Sequence, residues 1–173
     1  MDRAGAVTFK GTPLTLVGAE LSAGMAAPDF TIINNKLEEF SLKDLAGSVA
    51  IISVTPSLDT PVCDAQARRF NTEALKLGDS IKVVNVSMDL PFAATKFCST
   101  AGIENVTTLS DHRDASFGTA YGLLIKELRL LNRAIMVIDA TGTIKHFEMP
   151  TEMTSEVNFD AALSAANELM SGA

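Results

Sequence analysis

The order of strand and helix patterns predicts an α/β fold with a central mixed sheet flanked by helices and an added N-terminal β-hairpin. Residues 49–54 (VAIISV) are an almost unbroken apolar run, which is typical of a strand buried on both faces. Strand and helix patterns alternate after this run, as they do in sheets that carry helices on their faces. Two strand patterns near the N-terminus flank the turn residues Gly11, Thr12 and Pro13, and this arrangement predicts the hairpin.

The first part of the chain has the pattern of β structure. Residues 6–10 and 14–17 form the predicted hairpin, and residues 30–33 form a strand that ends at the turn pair Asn34 and Asn35. Residues 38–41 return as a short strand. Ser41 then caps a brief helix over residues 42–46, which Gly47 ends.

The rest of the chain alternates between helices and strands. Helices are predicted over residues 63–77 and 91–101, each followed by a glycine, and over residues 111–121, which begin with a solvated DHRD stretch. Asn158 caps a last helix that ends near Met170. The remaining strands are predicted at residues 81–86, 106–109, 134–138 and 143–147, the last two joined by the turn DATG. A thioredoxin-like sheet extended by an N-terminal hairpin fits this order.

The composition predicts one ordinary domain and argues against several classes of partner. With 173 residues, of which 47% are hydrophobic and 20% charged, residues 1–173 are expected to form a single domain with a packed core. The net charge of −7 argues against a nucleic-acid or anionic-membrane surface, because both require clustered Lys and Arg. No apolar run approaches the roughly 20 residues of a membrane-spanning helix. The N-terminal stretch lacks a hydrophobic signal region, so we expect a cytoplasmic protein.

The chemistry is predicted to centre on the loop that follows residues 49–54. Cys63 falls in the first turn of a predicted helix, where free backbone N–H groups and the positive end of the helix dipole favour a thiolate. Thr60 lies three residues earlier, and its hydroxyl can accept one hydrogen bond while donating another. Pro56 and Pro61 stiffen the loop and remove two backbone donors. From these residues alone, an incidental buried cysteine in a proline-rich loop is an equal alternative.

The pattern P-x3-T-x2-C between a strand and a helix resembles the peroxiredoxin motif. The stretch SMDLPFA, followed by KFC at residues 96–98, is similar to the second-cysteine region of the thiol peroxidase subfamily, the atypical two-cysteine peroxiredoxins. The hairpin at residues 9–13 and the late strand RAIMVID at residues 133–139 match the same subfamily. The resemblance extends from about residue 7 to about residue 165 and is weakest at residues 122–132, which look short.

This resemblance implies a function and a role for each matching residue. Cys63 is the peroxidatic cysteine, and Cys98 is the resolving cysteine of the same chain. Thr60 and Arg133 orient the peroxide and stabilise charge, and Pro56 shields the site. The implied activity is reduction of hydrogen peroxide and organic hydroperoxides, with an intramolecular disulfide recycled by a thioredoxin-type protein. The resemblance further implies a homodimer, and it implies no cofactor and no metal.

Three other interpretations remain open at this point. A dithiol–disulfide oxidoreductase is disfavoured because the two cysteines are 35 positions apart and form no CxxC pair. A binding module or holdase with incidental cysteines depends on surface exposure, which a sequence does not give. A metal site built from the two cysteines with His112 and His146 fits no familiar zinc spacing.

Cys98 lies within an apolar helix, so bonding distance to Cys63 is not expected in the reduced state. Disulfide geometry needs Cα atoms roughly 4.4–6.8 Å apart. We therefore predict that oxidation unfolds the turn from Cys63 to about Ala67 together with the segment around Cys98.

Overall fold

The computed structural model describes residues 1–171. It contains eleven strands, four α-helices and two 3₁₀ turns, at Leu42–Leu45 and Gly78–Ser80. The strands are β1 (Asp2–Phe9), β2 (Thr12–Val17), β3 (Thr31–Asn34), β4 (Glu39–Ser41), β5 (Val49–Val54), β6 (Ile81–Ser87), β7 (Thr107–Ser110), β8 (Leu124–Ile125), β9 (Leu130–Leu131), β10 (Ala134–Ile138) and β11 (Ile144–Glu148). The helices are α1 (Pro61–Leu77), α2 (Pro91–Ala101), α3 (Ser116–Ala120) and α4 (Phe159–Ser171).

A seven-stranded sheet in the order β11-β10-β5-β6-β7-β3-β4 forms the centre of the molecule. Strands β5, β6 and β7 are parallel, and the remaining neighbours pair antiparallel. Helices α1 and α2 make the two crossovers between the parallel strands, as parallel pairing requires. The predicted central mixed sheet flanked by helices is therefore confirmed.

Alternate residues of β5 bury against two different layers, because successive strand side chains point to opposite faces. Ile51 packs in a cluster that includes Ala67 and Phe70 of α1, Ala94 of α2 and Leu163 of α4. The other face of the strand packs against a cluster that contains α3 and the Leu42–Leu45 turn. Helices α1 and α2, which carry the two cysteines, therefore lie on the same face of the sheet.

The predicted N-terminal hairpin is confirmed, and it belongs to a larger second sheet. Strands β1 and β2 are followed by β8 and β9 in the order β1-β2-β8-β9, with Leu16 paired to Ile125. The sequence analysis predicted no strand in residues 122–132. Strands of two residues are too short to display the alternation by which strands are found in a sequence.

Helices α3 and α4 begin where they do for different physical reasons. Asn158 caps α4 as predicted, since its Oδ1 accepts the Ala161 N–H at 3.0 Å. The predicted helix over residues 111–121 shrinks to the five residues of α3 because Ala115 adopts a left-handed φ of 50°, which interrupts a right-handed helix. Among residues 1–171, no helix is both long enough and apolar enough to span a membrane.

Asp111 is buried, which corrects the prediction that residues 111–114 are solvated. Its side chain is 2% exposed and accepts the Phe117 N–H at 3.0 Å and the Gly118 N–H at 2.7 Å. Burial disfavours the ionised carboxylate more than these two bonds favour it, so the pKa of Asp111 rises from its ordinary 3.8 to about 6.

This raised pKa predicts a pH-dependent contribution of Asp111 to stability. The folded state binds the proton more tightly than the unfolded state, so the contribution is present below about pH 4 and is lost as the pH rises through about 6. Across that window the free energy of unfolding of the wild type should fall by up to about 3 kcal/mol relative to Asp111→Asn, at about 1.4 kcal/mol per pKa unit. Denaturant unfolding at several pH values measures the difference, with exposed Asp79→Asn as the control. A difference that is constant with pH contradicts the prediction.

Candidate active site

Cys63 is the third residue of α1 and follows the loop of residues 55–60. The helix begins at Pro61, two residues before the predicted start, because proline is favoured at the first helical position. The first intrahelical hydrogen bond runs from the Asp64 N–H to the Thr60 carbonyl, at 2.8 Å. Cys63 comes before Asp64 in the chain, so its N–H has no partner within the helix. This N–H belongs to the positive end of the helix dipole. Cys63 is 0% exposed, so its thiol is buried beneath the loop.

The loop places Thr60 and Pro56 at two different depths. Thr60 is the N-cap residue and is exposed, and its hydroxyl donates to the Ser57 carbonyl at 3.1 Å. The lone pairs of that hydroxyl remain able to accept a hydrogen bond. Pro56 is buried. The loop therefore offers a polar group at its surface and an apolar residue beneath it.

Arg133 lies at the same end of the sheet as this loop. Ala134 pairs with Val54, the last residue of β5, so Arg133 is positioned where β5 leads into residues 55–60. Arg133 is 3% exposed. Its Nη1 donates to Gln66 Oε1 at 3.1 Å, and its Nε donates to the Met153 carbonyl at 3.3 Å. Gln66 is one helical turn after Cys63, so the guanidinium contacts the face of α1 that carries the cysteine.

The guanidinium of Arg133 is buried without a carboxylate partner. None of the ion pairs formed within residues 1–171 includes Arg133, and both of its hydrogen-bond acceptors are neutral. An uncompensated buried charge is unfavourable in a low-dielectric interior. The site is therefore electrostatically suited to an anion beside the start of α1.

A buried hydrogen-bond network fixes the amide of Gln66. Its Nε2 donates to Ser53 Oγ at 2.5 Å, and the same oxygen accepts from Asn85 Nδ2 at 3.3 Å. Thr55 Oγ1 donates to Asn85 Oδ1 at 3.3 Å. With its Nε2 bound to Ser53, Gln66 presents its carbonyl oxygen to Arg133. Gln66 was not predicted as a site residue. The pattern that could have identified it is a polar residue one turn after Cys63, on the inner face of the helix.

The N-terminal hairpin supports the second acceptor of Arg133. The Thr8 N–H donates to the Thr151 carbonyl at 2.7 Å, and the Met153 N–H donates to the Thr8 carbonyl at 2.8 Å. The Met153 carbonyl in turn accepts from Arg133. Strand β1 therefore contacts the segment that orients the guanidinium.

Cys98 is half-buried on α2 and packs with the apolar cluster on the α1 face of the sheet. Its Sγ donates to Thr108 Oγ1 at 3.8 Å, and Asn35 Nδ2 donates to the same oxygen at 2.7 Å. Burial raises the pKa of the Cys98 thiol, and the contact with Thr108 lowers it by less. Both cysteines are free thiols.

A groove of about 490 Å³ separates the loop from α2. Its lining includes Ser57 and Leu58 from the loop and Lys96 and Phe97 from α2. The loop before Cys63 and the helix that carries Cys98 therefore share one open groove.

The alternative metal site does not form in the part of the chain that the structure describes. Within residues 1–171, no three His, Cys, Asp or Glu side chains are arranged to hold a metal ion. His112 and His146 are thus not assembled with the two cysteines.

Comparison with known proteins assigns the chain to a family. A family model described as Redoxin matches residues 22–163. The chain is 54% identical over 164 residues to the thiol peroxidase of Bacillus subtilis (strain 168), covering 95% of this chain and 98% of that protein. The chain belongs to the Redoxin family. Another relative in the family, the thiol peroxidase of Staphylococcus aureus (strain MRSA252), is 50% identical over 159 residues, with 92% and 96% covered. The resemblance to thiol peroxidases is thereby confirmed.

Solved structures agree with the family assignment. A peroxiredoxin-like protein from Aquifex aeolicus superposes with a TM-score of 0.88 at 38% identity, covering 96% of this chain and 98% of that one. The thiol peroxidase from Chromobacterium violaceum superposes with a TM-score of 0.83 at 21% identity and supports the fold alone. The predicted thioredoxin-like fold is confirmed.

Proposed function

We propose that this chain reduces hydrogen peroxide and organic hydroperoxides with Cys63 as the attacking thiolate. The observation that carries the proposal is the buried guanidinium of Arg133, which has no carboxylate partner among residues 1–171 and contacts the helix face bearing Cys63. Such a cation favours a thiolate, which is the nucleophilic form of cysteine. Arginine suits this position because it stays charged at any relevant pH.

In the first step, the Cys63 thiolate attacks one peroxide oxygen. A sulfur–oxygen bond forms, the O–O bond breaks, and the leaving alkoxide or hydroxide takes a proton to become an alcohol or water. Sulfur is oxidised to a sulfenic acid, and the peroxide is reduced by two electrons. Arg133 and the Cys63 backbone N–H are donors suited to the charge that develops on the two oxygens, and the lone pairs of the Thr60 hydroxyl can accept the peroxide O–H. Pro56 limits the access of water.

In the second step, the Cys98 thiol attacks the sulfenic sulfur of Cys63. A sulfur–sulfur bond forms, the S–O bond breaks and one water leaves, so the two-electron oxidation of Cys63 is now shared by the two sulfurs. A thioredoxin-type dithiol protein then returns both thiols by exchange and is itself oxidised to a disulfide. No cofactor is required, because sulfur carries the redox chemistry. A dithiol that must be returned to its reduced form after each turnover suits a cytoplasmic location, where thiols are kept reduced.

A homodimer is part of this proposal. Leu90 and Phe92, at the start of α2, are 53% and 70% exposed. Exposed apolar side chains close together are typical of a surface that a partner covers. Sedimentation of the reduced protein measures the mass directly, and a monomer would remove this part of the proposal.

Counting thiols after one equivalent of hydroperoxide tests the proposed function. The reduced protein should lose both thiols rapidly and remain a single chain without intermolecular cross-links. A dithiol oxidoreductase without peroxidase activity would keep both thiols over the same time. A binding module with incidental cysteines would also keep both thiols, so either result would overturn the proposal.

Replacing Arg133 tests the electrostatic part of the mechanism. Arg133→Met should slow the reaction of Cys63 with peroxide by about a hundredfold, since a positioned cation contributes a few kcal/mol to the barrier. It should also slow alkylation of Cys63, because the negative charge on the attacking sulfur loses a neighbouring cation. Arg68→Met is the control, since it removes a cation from the exposed surface of α1. Equal alkylation rates in Arg133→Met and wild type would exclude this role.

A further inference from the structure

One carboxylate joins the loop before Cys63 to the start of the helix that carries Cys98. Asp89 lies in the connection between β6 and α2, two residues before Pro91. Its Oδ1 accepts the Ser57 hydroxyl at 2.8 Å, and its Oδ2 accepts the Leu58 N–H at 2.7 Å. Hydrogen bonds to an ionised acceptor are stronger than neutral ones. Asp89 therefore binds the 55–60 loop at two points.

Asp89 is itself held by two buried serines. Ser87 Oγ donates to Asp89 Oδ2 at 3.1 Å and accepts the Asp89 N–H at 3.2 Å. Ser110 Oγ donates to the Asp89 carbonyl at 2.5 Å. Both serines are 2% exposed and lie in the parallel core of the sheet. The carboxylate is thus anchored to the sheet on one side and contacts the loop on the other.

The hydrogen bond between Asp89 and Ser57 also affects the residues near Cys63. Ser57 donates its hydroxyl to Asp89, and its carbonyl accepts the Thr60 hydroxyl at 3.1 Å. Leu58, the other residue held, is 2% exposed and packs in the cluster that also contains α1 and α2. Releasing Asp89 would therefore loosen both the N-cap of α1 and the apolar contact beneath the loop.

We propose that Asp89 is a positioning residue that holds the 55–60 loop in its peroxide-reactive shape and couples the opening of this loop to the opening of the start of α2. Disulfide closure requires the Cys63 turn and the Cys98 segment to move, and this inference rests on the function proposed above. Because one carboxylate bridges the two segments, breaking its bonds releases both. Asp89 thereby favours the first reaction and restrains the second.

Asp89→Asn tests this coupling with little change in volume. The amide oxygen can still accept the Leu58 N–H, but the amide NH₂ can only donate to Ser57 Oγ, so both contacts lose the ionised acceptor and become weaker neutral hydrogen bonds. The rate constant of Cys63 with hydrogen peroxide should fall about tenfold. Closure of the disulfide should accelerate severalfold, as measured by rapid quenching and mass spectrometry. Ser57→Ala should change both rates in the same directions by smaller factors, and it provides a second test if Asp89→Asn folds poorly.

Asp59→Asn is the matched control. It removes a carboxylate charge from the 55–60 loop itself. Asp59 bonds through its backbone N–H, to Ser57 Oγ, and within residues 1–171 its carboxylate accepts no hydrogen bond, so both rate constants should stay within about twofold. An Asp89→Asn enzyme that closes its disulfide no faster than wild type would overturn the proposal.

Hydrogen exchange on the reduced protein provides a test that needs no peroxide. In Asp89→Asn, the Leu58 amide and the Ala94 amide, which donates to the Leu90 carbonyl at the start of α2, should both exchange faster by a similar factor. Acceleration at Leu58 alone would refute the coupling. A wild-type protein that consumes no peroxide would refute the proposed function, and the exchange result would still decide whether Asp89 links the two segments.

Discussion

Replacing Cys63 with serine is expected to reduce peroxide consumption by at least about a thousandfold, equivalent to about 4 kcal/mol of barrier. A serine hydroxyl stays protonated at neutral pH, and sulfur is the atom that must accept oxygen from the peroxide. Cys98 does not replace it, because burial raises the pKa of that thiol and it lies within α2 rather than at a helix start.

Steady-state peroxide consumption with a dithiol reductant measures the loss. Circular dichroism of Cys63→Ser verifies that the chain is folded, and the exposed substitution Arg68→Met supplies a reference for nonspecific effects. Activity of Cys63→Ser within about tenfold of wild type would exclude Cys63 as the nucleophile.

Replacing Cys98 with serine should separate the two halves of the cycle. Cys98→Ser should reduce one equivalent of peroxide at the wild-type rate, because Cys63 and Arg133 are untouched. It should then stop as a sulfenic acid on Cys63, and excess peroxide should convert this to sulfinic acid. Turnover with a thioredoxin-type reductant should fall at least about a hundredfold. Mass spectrometry identifies the trapped species, and undiminished turnover would leave a one-cysteine cycle.

The position of Cys98 explains why closure should require local unfolding. In the folded helix its thiol packs in the core, bonds Thr108, and has a raised pKa. Each of these makes it a weaker nucleophile than an exposed cysteine. Unfolding α2 would remove all three restraints at once. We expect hydrogen exchange to show lower protection at residues 63–67 and around Cys98 in the disulfide form than in the reduced form, and equal protection would refute the unfolding step.

Strong local patterns allowed most of the central sheet to be predicted. The apolar run of β5, the glycine after α1 and the Asn158 cap of α4 each depend on neighbouring residues alone, and each prediction agrees with the structure. The second sheet was only half predicted. Strands β8 and β9 have two residues each. They exist because β2 pairs with β8 across more than a hundred residues of sequence and β8 in turn pairs with β9. Such tertiary pairing leaves no periodic signal.

The candidate site was also predictable only in part, because some of its features depend on neighbouring residues and others on tertiary pairing. The position of Cys63 in the first turn of α1 follows from a proline and a strand–helix boundary, both visible in the sequence. The contact between Arg133 and Gln66 depends on the pairing of β10 with β5, which no local pattern predicts. Asp89 stands in the SMDLPFA stretch without a predicted role, and its link to Ser57 arises only because the parallel pairing of β5 and β6 brings the two loops to one end of the sheet.

The bond between the N-terminal hairpin and the Met153 segment has a consequence for how the site is assembled during synthesis. Thr8 leaves the ribosome well before its partners at residues 151 and 153. Until those residues emerge, Arg133 lacks its Met153 acceptor and β1 lacks its contacts with the 151–153 segment. A growing chain therefore carries Cys63 long before the arginine is fully oriented. The candidate site is assembled only after residue 153 has been made.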